Sequence, residues 1–229
     1  MALMDNVANT GMGEAGKIHF NANQFDAWSK GVLNCLDGDS NSVRSCSKKL
    51  AEQIEILVQP GVWSGAALKT NYNNFFNAHK ALITFVNTFG DKYKEAMNEV
   101  NKSMALLETT NLGVNPDASN YGNLNYSAIE NRIQAVSVNE EDITYDYYKI
   151  KEIAGELKKI KNTLDEVFSK MEKKISSLTD GAMTGKKAND SVSELNLCVK
   201  INYKDIADAL DICISNIMTS AENAESANS

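Results

Sequence analysis

The sequence predicts an all-α chain of two tandem long helical hairpins, packed as an antiparallel four-helix bundle. Three observations carry this: helix breakers are scarce, apolar residues recur at alternating steps of three and four, and both prolines fall outside the resulting stripes. The 229 residues include 2 Pro and 13 Gly, about half the combined share of roughly 12% usual for these two residues. An apolar fraction of 43% with 23% charged residues is globular composition, ample for one or two cores.

The first stripe runs Phe25, Trp28, Val32, Leu36, Val43, Cys46, Leu50, Ile54, Leu57, with Asp39 where an apolar residue is expected. The polar run from Asp37 to Asn41 looks like the opening of a calcium loop. Such a loop needs Gly where Ser42 stands and a bidentate Glu where Lys48 stands, so the run reads as a kink or surface interruption in one helix. The second stripe is Leu68, Tyr72, Phe75, His79, Leu82, Val86, Phe89, Tyr93, Met97, Val100, Met104, Leu107. The third runs from Ile143 through Tyr147, Ile150, Ala154, Leu157, Leu164, Phe168, Met171 and Ile175 to Leu178, broken by Lys161. Each of these two helices is expected to reach roughly 50 Å. Val192, Leu195, Val199, Ile206, Leu210, Cys213 and Ile217 mark the fourth, with Ser191 and Glu194 in capping-box relation at its start. Trp28 and His79 fall in register with core positions.

The turns of the two hairpins repeat. Gly61-Val62-Trp63-Ser64-Gly65 and Gly181-Ala182-Met183-Thr184-Gly185 share the order glycine, small apolar, large apolar, hydroxyl, glycine. The glycines permit a tight reversal and the large apolar residue caps the hairpin core. Divergent duplication of one hairpin is the reading.

Composition excludes several classes of function. Residues 1–114 carry 10 Lys/Arg and 11 Asp/Glu, and residues 115–229 carry 13 and 19, a balance that disfavours a nucleic-acid or anionic-membrane surface as the main business of either half. No membrane span and, from Met1 to Gly16, no apolar leader core is apparent. Cys35, Cys46, Cys198 and Cys213 form no C-x-x-C pair, and His19 and His79 complete no zinc set. The thiols are expected to be buried and free. No metal, no cofactor and no catalytic grouping is expected, hence no enzyme. Asp205, Asp208 and Asp211 read as a solvated acidic face that Lys158, Lys159 and Lys161 can meet across the bundle.

On Trp63-Ser64-Gly65 between long helices, the Lys17-Ile18-His19-Phe20 lead-in and the absent leader, residues 17–112 resemble the WXG superfamily of type VII (ESX-type) secretion. Residues 139–224 look like a second, degenerate copy with Met183-Thr184-Gly185 in place of the motif. The chain thus divides into a disordered N-terminus (1–16), a WXG-like hairpin (17–112), a linker (113–138), a degenerate hairpin (139–224) and a disordered tail (225–229). The resemblance implies pairing of hairpins, either within this chain as an internal pseudo-dimer, between two copies, or with another WXG-like or effector protein. It also implies recognition by a secretion ATPase through Trp63 and a Tyr-x-x-x-Asp/Glu motif. The suitably trailing match is Tyr126 to Glu130, whereas Tyr148 to Glu152 falls inside the third helix. The expected function is a non-enzymatic substrate or helper of that pathway, secreted without a cleaved signal peptide from a Gram-positive bacterium. A pore-forming helical bundle and a plain cytoplasmic scaffold are the alternatives.

Overall fold

The apolar stripes become helices, five of them among the described residues: α1 (Ala22–Asp37), α2 (Val43–Leu57), α3 (Ala66–Leu112), α4 (Tyr147–Ser176) and α5 (Lys186–Ala227). A 3₁₀ turn, Ser177–Asp180, follows α4. The structure, a computed structural model, describes residues 19–38, 40–112 and 143–228, with 103–112 described by backbone alone. Residues 1–16, the linker 113–138 and Tyr126/Glu130 lie outside the described residues. The fold is all-α, and its helices pack on one another. Among the described residues no helix is long and apolar enough to cross a membrane.

Three boundaries, besides the start of α4 at Tyr147 past Ile143, differ from the sequence reading. The first helix is two, because the chain breaks after Asp37 and restarts at Val43. Ser42 is fully buried with an extended backbone (φ −126°, ψ 164°). Its hydroxyl donates to the Gly38 carbonyl (2.7 Å) and accepts from the Ser45 N–H (3.1 Å), an N-cap that begins a new helix. Second, α5 begins at Lys186, directly after Gly185, whose carbonyl accepts from the Asn189 N–H (3.2 Å). Ser191 therefore sits inside the helix, buried, and caps nothing. Third, α5 continues to Ala227 where a disordered tail from 225 was expected. Ala and Glu are good helix formers, Ala221 is buried, and Glu225 pairs with Lys151 of α4.

The described residues form two compact units, one of 19–37, 87–112 and 168–200, the other of 38, 40–86, 143–167 and 201–228. These units do not coincide with the hairpins 17–112 and 139–224. Each unit takes two helical segments from each hairpin.

In the first unit α1 packs on α3 and α4. Trp28 lies against Phe25 (ring centroids 5.4 Å) and Tyr93 (6.1 Å), and the Ser29 and Tyr93 hydroxyls are hydrogen-bonded. The Trp28 indole N–H donates to the carbonyls of Lys174 (2.7 Å) and Ile175 (3.3 Å), satisfying acceptors that the end of α4 leaves open. Opposite, α5 meets α3 through Lys187 and Glu99 (3.5 Å) and meets α4 through Asn196 and Ser176 (3.0 Å).

In the second unit α2 meets α3 through Ser47 and His79, hydrogen-bonded at 3.1 Å in the core. The pairs Lys151–Glu225 and Lys161–Asp211 (3.5 Å) run in opposite order along α4 and α5, so these helices are antiparallel. Lys161, the break in the third stripe, also holds Asp165 (3.3 Å), which accepts from the Tyr203 hydroxyl. Of the three lysines expected to face the acidic residues, Lys161 does so; Lys159 pairs within its own helix with Glu156 (2.6 Å).

All four cysteines are buried and free. Burial pushes the Cys46 thiol up to about 11 and the Cys213 thiol up to about 12, from an ordinary value of 9.0. A neutral form favoured in the folded state contributes stability that is complete below pH 9 and is lost as pH rises toward 11. At pH 8 iodoacetamide is expected to label the native chain slowly and all four cysteines rapidly in denaturant; rapid native labelling of Cys46 and Cys213 would contradict this burial. Ser42→Ala is expected to cost about 1 kcal/mol in urea unfolding, through loss of the α2 cap.

Candidate functional site

The turn glycines hold backbone that other residues enter only under strain. Gly65 and Gly185 have φ of +105° and +116°. Each lets the chain reverse immediately after a hydroxyl residue, leaving that hydroxyl beside a short extended segment preceding the other hairpin's first helix.

In the second unit that segment is Thr144-Tyr145-Asp146. Three hydrogen bonds join it to the first turn: the Ser64 N–H donates to the Thr144 carbonyl (2.9 Å), the Asp146 N–H to the Val62 carbonyl (2.9 Å), and the Thr144 N–H to the Ser64 hydroxyl oxygen (2.8 Å). In the first unit the segment is His19-Phe20-Asn21, and the bonds are equivalent. The Thr184 N–H donates to the His19 carbonyl (2.9 Å), the Asn21 N–H to the Ala182 carbonyl (2.9 Å), and the His19 N–H to the Thr184 hydroxyl oxygen (3.1 Å). Trp63 and Tyr145 form one antiparallel bridge, Met183 and Phe20 the other.

The segments also start helices. Asn21 accepts the Gln24 N–H on its side chain (3.0 Å) and the Phe25 N–H on its carbonyl (2.9 Å). Asp146 does the same for Lys149 (2.9 Å) and Ile150 (3.0 Å). One Asn or Asp thus closes the clamp and caps the helix that follows.

Trp63 is only 3% exposed and meets Tyr145 edge to face, with ring centroids 5.0 Å apart at 75°. Burial pushes the Tyr145 phenol up to about 12, so it stays neutral, and Ser220 of α5 lies beside its hydroxyl. Met183 is fully buried in the equivalent place. Met183-Thr184-Gly185, degenerate in its letters, keeps the three clamp hydrogen bonds and the antiparallel bridge of Trp63-Ser64-Gly65. Ile143, expected in the helical stripe, precedes α4 and is 84% exposed above Gly65. Tyr148 is also exposed, on the first turn of α4.

The lead-in partners are what the sequence reading missed. Ile18-His19-Phe20-Asn21 and Ile143-Thr144-Tyr145-Asp146 repeat as Ile, any residue, aromatic, Asn or Asp. Their offset is 125 residues against 120 for the turns, so a search at one fixed period passes over them. Chemically each clamp is a docking device that reads an extended segment through its backbone. Among the described residues no group of three His, Cys, Asp or Glu is placed to hold a metal ion. No known family model, curated protein or solved structure matches the chain.

Removing either hydroxyl leaves a lead-in N–H without its acceptor. Ser64→Ala and Thr184→Val are each expected to cost about 1–2 kcal/mol in chemical denaturation, with equal helicity in the folded state. Unequal losses, one near zero, would contradict the equivalence of the two clamps. Trp63→Ala is expected to cost about 3–5 kcal/mol.

Proposed function

We propose that this chain is a WXG-like, non-enzymatic protein of a type VII secretion pathway, acting as an internally paired substrate. The observation that supports the reading is the pair of reciprocal clamps: each hairpin's turn is closed by the segment leading into the other hairpin. The resemblance implies hairpin pairing, and here the contacts that join hairpins are made inside one chain. A helper that holds a larger effector needs those same faces free, so internal pairing favours cargo over helper. Trp63 then contributes the shape of the turn more than an exposed side chain, because it is covered by Tyr145. The secretion ATPase is the partner this reading requires, with passage out of a Gram-positive cell without a cleaved signal peptide.

Fractionation of cultures with and without the secretion ATPase tests it. Extracellular protein is expected to fall to background in the strain lacking the ATPase, with the intracellular amount retained. Equal extracellular abundance in both strains, with no pathway component co-purifying, would overturn the reading.

A further inference from the structure

Gly155 lies in the interior of α4 and is exposed, and a Cβ built on it meets nothing within 4 Å. Glycine inside a helix is destabilising relative to alanine. The turn glycines are required by positive φ, and Gly31 lies under Lys174, whose Cδ would come to 3.3 Å from an added Cβ. Nothing within the described chain requires Gly155.

Gly155 forms part of the floor of an open groove of about 570 Å³ between α4 and α5 in the second unit, with Ala154, Ile214 and Met218. Lys151 and Lys158 stand at its rim. Lys158 is exposed and has no ion-pair partner among the described residues. Along α4 the residues Lys151, Gly155, Lys158 and Asn162 recur at the i, i+4, i+7, i+11 spacing of one helix face.

The same unit carries a surface of matching period and opposite charge. Ile201, Asp205, Asp208 and Ile212 recur at that spacing on α5, all exposed, the two isoleucines 57% each. Asp205 and Asp208 have no ion-pair partner among the described residues. An apolar small molecule in so open a groove would stay wet on one side, whereas a helix covers it.

We propose that this α5 face docks in the α4–α5 groove of a second copy of the chain. Ile201 and Ile212 lie over Ala154, Gly155 and Met218, and Asp205 and Asp208 meet Lys158. Gly155 then has a reason: without a side chain it lets the incoming helix approach closely. Face and groove belong to the same unit, and in the proposed pair each copy docks its face in the other's groove about a twofold axis, which closes the assembly as a dimer. The dimer does not depend on the secretion reading.

Sedimentation equilibrium of the full chain from about 10 μM to about 1 mM is expected to show mass rising from 25.1 kDa to a plateau at twice that value. Gly155→Leu fills the groove and is expected to weaken self-association at least tenfold with unchanged helicity. Asp205→Lys with Asp208→Lys, a surface change that leaves the core intact, is expected to do the same. Mixing that double variant with Lys158→Glu chains is expected to restore association. A chain monomeric at every concentration, or self-association retained in either the groove or the charge variant, would overturn the proposal.

Discussion

The fold turns on a hydrogen bond from a lead-in N–H to a turn hydroxyl, made once by Thr144 to Ser64 and once by His19 to Thr184. Around it two further backbone bonds fix a three-residue extended segment against the turn, and the same segment's Asn21 or Asp146 caps the next helix. The glycine that follows the hydroxyl is what brings the turn close enough, since its positive φ is strained for any residue with a Cβ. Entry into α1 and α4, and departure into α5 and α3, are set at these two points.

Between the clamps the helices are held by burial, about 25 cal/mol per Å² of apolar surface removed from water. A few polar contacts specify how the stripes meet. The Trp28 indole closes the end of α4, the Ser29 and Tyr93 hydroxyls bond one another, and the Ser47 hydroxyl bonds the His79 Nε2. Each of these polar groups is buried, and unpaired it would cost more than its bond contributes. Lys161 with Asp165 and Asp211 serves the same purpose where the stripe of α4 is interrupted.

The clamps and the groove belong to different levels of organisation. The clamps join the two hairpins within the chain, each turn being closed by the segment that leads into the other hairpin. The α4–α5 groove, with an exposed glycine that no internal packing explains, is left over for contact with a further copy.

The helical periods, the all-α class, the turn repeat and the buried thiols were legible in the sequence, because each follows from local spacing and composition. The length of the first helix was not: Asp39 marked an interruption, but whether a helix bends or restarts depends on Ser42 being buried where its hydroxyl caps α2. Nor was the start of α5, since Ser191 and Glu194 offer a capping pattern that Gly185 makes unnecessary six residues earlier. Tertiary structure alone decided that Trp63 lies against Tyr145, that Met183 bridges to Phe20 in the other unit, and that each compact unit mixes both hairpins. The physical reason is that a clamp joins segments some 80 or 165 residues apart. No periodicity within a helix records which distant backbone will accept its hydrogen bonds.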